Sequence, residues 1–338
     1  MQTRILYLDL LRFLATLAVI MLHVSATAMG ITINKIDFSF CLAYDVVCRW
    51  CVPAFVMISG SLFLNPAKQV PISVLYKKYI LRLVVALVSW WVLYLWVLEP
   101  GLHIIKHVPY NLIGFEEAFT NPFDIPYHLW FLPMIIGLYL VMPILKVIVS
   151  NEKVVNYFLV LWFVMSVLLS IPVDYTFGFF DRFQVKMVVG FSGYMILGYK
   201  LSKSDHRYNA VVLAFLLLIV FLITFFAVVN GLNINIVGNA HNPLMIIMST
   251  LVFLGMKRMN VRVVKEGCLE KLIGCVRNDL FGVYLIHLFY LKLFFRPHFY
   301  GSMPFGLSVP LFTVVVFVAS VFTIKVLRRI PVIRYICS

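Results

Sequence analysis

Long apolar runs recur along the whole chain, and short segments that carry most of the charged residues separate them. A helix needs about 20 apolar residues to cross a hydrocarbon core of about 30 Å. Ten stretches meet that requirement, so the pattern predicts an all-α fold, a polytopic membrane helical bundle with about ten transmembrane helices. The expected spans are residues 5–24, 41–64, 80–98, 129–148, 154–171, 183–201, 210–229, 244–259, 280–295 and 307–326.

The composition agrees with a membrane protein and indicates a single domain. Of the 338 residues, 63% are hydrophobic and only 12% are charged, whereas charged residues make up about 25% of an ordinary soluble domain. No hydrophilic stretch is long enough to fold separately, so we expect one integral-membrane domain over residues 1–338. The longest polar segment, residues 99–128, is expected to form an ordered loop or short helices.

The basic residues are concentrated in every other connecting segment, which sets the expected orientation. The formal net charge is +14, but these residues form no continuous basic stripe, so we expect no nucleic-acid partner. The positive-inside rule instead places both termini in the cytoplasm and makes the lipid bilayer the partner. The cysteines show no disulfide spacing, and the one C-x-x-C, at Cys48 and Cys51, lies in an apolar helix without a second ligand pair, so no metal site is expected.

The first span carries charges that a simple anchor would avoid. Asp9, Arg12 and His23 lie within one apolar run. Eleven residues at about 100° each amount to three turns plus about 20°, so Arg12 and His23 project from one helix face, about 16 Å apart along the axis. Ionisable groups inside a membrane are costly, and a polar stripe of this kind indicates a functional site.

Two interpretations of these side chains remain open on the sequence alone. A neutral imidazole at His23 can accept a hydroxyl proton and return it to a leaving group, or it can carry an acyl group itself. Alternatively, His23 bridges helices through hydrogen bonds. Arg12 needs a carboxylate, a phosphate or a polarised carbonyl, and Asp9 can pair with it across one helical turn, either in the site or only to hold helices together.

Five sequence elements resemble those of the integral-membrane acyltransferase family 3, whose members include bacterial surface-polysaccharide O-acetyltransferases. Arg12 and His23 match its R-x10-H signature. In chain order, the other elements are Arg49 with the stretch VPAFVMISG at 52–60, the basic residues Lys77, Lys78 and Arg82, the stretch HLWFL at 128–132, and the pattern G-x-Y-L-I-H at 282–287. The resemblance covers nearly the whole chain.

This resemblance implies a function. It implies an O-acyltransferase of the bacterial cytoplasmic (inner) membrane that has no bound cofactor, uses acetyl-CoA as its acyl-donor substrate and modifies a hydroxyl of an extracytoplasmic glycan or lipid-linked sugar. The implied catalytic residues are His23, Arg12 and Asp9. The implied donor-binding residues are Arg49, Ser59, Lys77, Lys78 and Arg82, and the implied acceptor-binding residues are His128, Trp130, Tyr284 and His287.

Two functions of other classes fit the composition as well. A transporter or flippase would move a glycan intermediate or a small anion without consuming a thioester. A structural subunit of a polysaccharide-export complex would show neither activity alone.

Overall fold

The computed structural model describes residues 6–31, 34–67, 70–109, 115–120, 124, 126–169, 190–206, 208–259, 268–294 and 303–337, which are helical with short connections and contain no strand. In chain order the helices are α1 Leu6–Met29, α2 Lys35–Cys48, α3 Cys51–Phe63, α4 Ile72–Lys106, α5 Phe115–Thr120, α6 Phe131–Val149, α7 Glu152–Leu169, α8 Ser192–Lys203, α9 Ala210–Val229, α10 Ile234–Val237, α11 Pro243–Arg258, α12 Cys268–Val276, α13 Leu280–Phe294, α14 Phe305–Leu327 and α15 Pro331–Cys337. A 3₁₀ turn at Tyr127–Trp130 leads into α6.

Within the described residues, six helical segments are long and apolar enough to cross a membrane, or seven if α12 and α13, bent by 75°, form one span. The six are α1, α2 with α3, α4, Tyr127–Val149, α9 and α14. Each of the ten expected spans contains a helix, but ten crossings and cytoplasmic termini stay predictions. Residues 5, 170–171, 183–189 and 295 of the expected spans lie outside the described residues.

The third span is longer than its apolar pattern predicted. The sequence placed its end at residue 98, with an ordered loop or short helices after it, but α4 continues without interruption through Glu99 to Lys106. Pro100 does not break the helix. The preceding turn, Tyr94–Leu98, is a wider π-helical segment, so Pro100 lies at the start of the α-helical turns that follow it. A residue at that position needs no backbone N–H, which is the group that proline lacks. His107, in the left-handed conformation with φ 56°, ends the helix.

The second span is divided, and its second half is held by very close packing. A break at Arg49 and Trp50 separates α2 from α3. A Cβ atom on Gly60 would lie 1.8 Å from the Met195 carbonyl oxygen, and one on Gly198 would lie 2.2 Å from the Met57 carbonyl oxygen. The backbones of α3 and α8 therefore touch, as small residues permit between membrane helices.

The bundle exposes large apolar side chains on its outer surface. On α9, Val211 and Phe215 are 75% and 61% exposed, a surface that suits contact with lipid chains rather than water. We name the two ends of the bundle after α1. The Arg12 end is the end at which α1 begins at Leu6, and the His23 end is the end at which it finishes at Met29.

Candidate active site

One face of α1 lines a cavity of about 150 Å³ inside the bundle. Arg12, Thr16, Val19 and His23 all line it. Their spacing of four, three and four residues follows the helical repeat, which keeps these side chains on one face. The predicted stripe from Arg12 to His23 therefore forms one wall of a single cavity.

The opposite walls bring distant parts of the chain to this face. Segment Tyr127–Val149 supplies His128 near the His23 end, and α13 supplies Tyr284. The complete lining is Arg12, Thr16, Val19, His23, Val52, Phe55, His128, Trp130, Phe131, Leu280, Phe281 and Tyr284. Of the residues predicted for the site, the structure thus brings together Arg12, His23, His128, Trp130 and Tyr284.

Three imidazoles meet beside this cavity. The His23 ring stacks on the His287 ring with centroids 5.3 Å apart, and the His287 ring lies edge-on to His128 at 5.2 Å. Tyr127 contacts the His23 ring from another side, with centroids 5.3 Å apart. His287 is fully buried and supports His23 from behind rather than lining the cavity. Within the described residues, the His23 ring makes no hydrogen bond of its own, so its nitrogens remain available to a ligand.

Hydrogen bonds fix the tautomers of the other two imidazoles. Nε2–H of His128 donates to the Leu285 carbonyl at 3.0 Å, and Nδ1–H of His287 donates to the Tyr284 carbonyl at 2.6 Å. A carbonyl oxygen only accepts, so these nitrogens carry the protons. Nδ1 of His128 and Nε2 of His287 are buried and have no hydrogen-bond partner within the described residues. In a neutral ring each of these nitrogens is an acceptor.

At the other end of the cavity, Arg12 is only loosely held. Its Nη1 lies 3.9 Å from Oδ1 of Asp9, so the predicted pair exists as an ion pair without a hydrogen bond. The Arg12 side chain is 35% exposed, and within the described residues it makes no hydrogen bond to a protein acceptor. The guanidinium can therefore bind an anionic or carbonyl group that enters the cavity.

A comparison with models of known protein families identifies the family of this chain. The family model described as an acyltransferase domain matches residues 5–328. The chain belongs to acyltransferase family 3. No curated protein and no solved structure matches it, so the assignment rests on the family model and on the residues themselves.

Two of the predicted donor residues in this membrane acyltransferase, Ser59 and Arg82, lie near Tyr139, which is also near Arg12. Tyr139 of α6 is the link: its phenol lies beside the Ser59 hydroxyl and within electrostatic range of Arg12 and Arg82. Tyr139 follows His128 by the same eleven residues that separate Arg12 from His23, on a segment that runs antiparallel to α1. Lys77 and Lys78 precede Arg82 on α4 and are exposed, so they lie on the surface and not in the cavity.

Arg49 of the acyltransferase does not reach the cavity. Its Nε donates to Oδ1 of Asp45 at 2.5 Å and its Nη1 to the Gly238 carbonyl at 3.1 Å. Asp45 is almost completely buried. Arg49 therefore joins the break between α2 and α3 to the turn before α11, and its implied donor-binding role stays a prediction.

The sequence missed several side chains around this site. Thr16 shares the helical spacing of Arg12 and His23 and could have been found by that spacing, whereas Tyr127 and Tyr139 carry no local signal. His241 is half-buried against Phe191, and burial lowers its pKa. Its Nε2 is enclosed without a hydrogen-bond partner among the described residues.

Proposed function

We propose that this acyltransferase of a bacterial inner membrane transfers an acetyl group from cytoplasmic acetyl-CoA. The acceptor is a hydroxyl of an extracytoplasmic or lipid-linked glycan. The observation that carries the proposal is that Arg12 and His23 face one cavity about 16 Å apart along α1. A donor group at one end and an acceptor group at the other can then meet inside the bundle.

The size of the cavity favours acyl transfer over transport. A volume of about 150 Å³ accommodates a group the size of benzene, whereas pockets for whole drug-sized molecules measure about 300–1,000 Å³. An acetyl thioester fits this space, but a glycan does not. The cavity therefore argues against a flippase that would move a sugar through it.

The donor is assigned to the Arg12 end. Lys77 and Lys78 offer exposed ammonium groups to phosphates, and Arg82, Tyr139 and Arg12 follow toward the cavity. In this arrangement the thioester end of the donor reaches toward His23. The orientation with Arg12 toward the cytoplasm agrees with the basic residues in the connections at that end.

His23 is the proposed base. A ring nitrogen of neutral His23 takes the proton from the acceptor hydroxyl, whose oxygen attacks the thioester carbonyl; the C–S bond breaks, and the thiolate receives the proton from His23. His23 can alternatively take the acyl group first and pass it to the hydroxyl. In both routes the stacked His287 and the Tyr127 ring hold the orientation of the imidazole.

The test uses the purified chain in lipid nanodiscs. Thiol release from acetyl-CoA and labelled acetyl on octyl glycosides are measured for the wild type, for His23→Gln and for His206→Gln, a matched change at an exposed histidine that does not line the cavity. We expect His23→Gln to lose at least about 100-fold in transfer, because general acid–base catalysis contributes that much. Equal transfer by His23→Gln and the wild type would refute the role of His23.

A further inference from the structure

A second cavity, of about 400 Å³, lies at the His23 end, outside the three imidazoles. It is formed by the end of α1, the last turns of α4, Tyr127 and α13, and its charged side chains include Glu99 and Lys292. Neither side chain was part of the predicted site. We infer that this second cavity binds a polyhydroxylated sugar ring through the Glu99 and Lys292 pair and presents it to His23, an inference that rests on the proposed function.

The two cavities are lined by different residues, but both are lined from α1 and α13. Thr27, one turn beyond His23 on the α1 face, lines the second cavity, and its hydroxyl donates to the His23 carbonyl at 2.7 Å. Tyr127 lines the second cavity, while its ring contacts His23 with centroids 5.3 Å apart. Tyr127 therefore contacts both the second cavity and the ring of the proposed base.

The volumes divide the substrates between the cavities. About 150 Å³ beside Arg12 and His23 suits the acyl group, and about 400 Å³ lies in the range of pockets that hold whole small ligands. A pyranose with its substituents requires the larger space. Its reacting hydroxyl would point past Tyr127 toward His23.

The charged pair suits neutral hydroxyl groups. Nζ of Lys292 donates to both carboxylate oxygens of Glu99, at 2.9 and 3.0 Å, so the pair has no net charge. The Lys292 side chain is 28% exposed and the Glu99 side chain 12%, and both line the cavity. A carboxylate has about four acceptor positions and an ammonium group three donors. Neighbouring hydroxyls can therefore donate to Glu99 and accept from Lys292, while Tyr127 and Leu288 offer apolar surface to the C–H face of the ring.

The same pair also joins α4 to α13, so the test must separate binding from folding. Removing one partner would leave a charge half-buried, whereas replacing both by neutral groups of similar size avoids that cost. The variant is therefore Glu99→Gln with Lys292→Met. Its matched control is Glu152→Gln with Lys153→Met, the same chemical change at two exposed residues of the Arg12 end.

The measurement reports binding without turnover. Val108 is 50% exposed and lines the second cavity. A cysteine introduced by Val108→Cys is therefore labelled by maleimide at a rate that reports on access to the second cavity. Cys268→Ser and Cys275→Ser are included so that these two native cysteines are not labelled as well. Octyl glycosides of glucose, galactose and N-acetylglucosamine are the probes, and 1-octanol is the control for the alkyl chain. Thermal unfolding of each variant confirms that it is folded.

We expect at least one octyl glycoside to slow the maleimide labelling of Val108→Cys about fivefold or more, and 1-octanol to have no effect. This protection should disappear in the neutral pair variant, Glu99→Gln with Lys292→Met, but remain in its matched control. Protection that survives in the neutral pair variant, or no protection by any of the three glycosides, overturns the inference. Hydrolysis of acetyl-CoA, in which water replaces the sugar hydroxyl and releases acetate and the free thiol, tests the proposed function separately when it is measured for the wild type and His23→Gln, because that reaction needs no sugar.

Discussion

The link from Arg49 to Asp45 and Gly238 predicts that Arg49 stabilises the fold without binding the donor. Asp45 is 1% exposed and accepts its charged hydrogen bond from Arg49 at 2.5 Å. Replacing Arg49 by Met leaves a buried, unpaired carboxylate, which costs about 3–5 kcal/mol. Since 1.4 kcal/mol is a factor of ten, the ratio of folded to unfolded protein should fall by more than about 100-fold.

The double variant Arg49→Met with Asp45→Asn removes both charges and should recover most of that loss. What remains is the Gly238 carbonyl, which loses a donor at 3.1 Å, and an unsatisfied buried acceptor costs about 1–3 kcal/mol. The assay is thermal unfolding in detergent, followed by size-exclusion fluorescence. The single variant should unfold at a clearly lower temperature than the double variant.

The same double variant also tests the implied donor role of Arg49. Once the fold is restored, the KM for acetyl-CoA should equal that of the wild type, because Arg49 does not line the cavity. A KM raised tenfold or more in a stably folded double variant would show that Arg49 binds the donor, and the reasoning would then be wrong.

Three further predictions follow from single contacts. Gly60→Ala should abolish folding, because its Cβ would lie 1.8 Å from a backbone oxygen, whereas Gly137→Ala, with nothing within 4 Å, should fold; expression and unfolding temperature distinguish them. Arg82→Gln should raise the KM for acetyl-CoA by about tenfold, because it removes one charge-assisted hydrogen bond. Lys153→Gln, at an exposed position, should leave this KM unchanged. Tyr284→Phe removes the donor to a buried carbonyl and should cost about 1–3 kcal/mol of unfolding free energy, and an unchanged unfolding temperature would contradict that hydrogen bond.

The wall of the cavity on α1 could be predicted because its signal is local. Two ionisable residues in an apolar run stand out, and eleven residues of helix place them on one face. In the structure Arg12 and His23 line one cavity. The ring stack of His23 on His287 joins residues more than 250 positions apart, and no helical repeat indicates such a contact.

The parts that could not be predicted depend on long-range pairing or on backbone detail. Glu99 was placed in a segment of ordered loop or short helices after the third span, yet the π-helical turn before it lets α4 continue and brings Glu99 to Lys292 on α13. Arg49 was grouped with the donor site from the motif around it, although its partner Gly238 lies 189 residues away. Such partners become visible only when the helices are packed.

The most direct test of the central claim is transfer across the bilayer. In the proteoliposomes the Arg12 end of the protein faces the outer solution, and labelled acetyl-CoA is added on that side. An octyl glycoside that is confined to the opposite side is then analysed for label. The account predicts labelled sugar on the opposite side for the wild type and for His206→Gln, and none above background for His23→Gln. Labelled sugar formed equally by His23→Gln, or formed only when donor and sugar share one side, would contradict it.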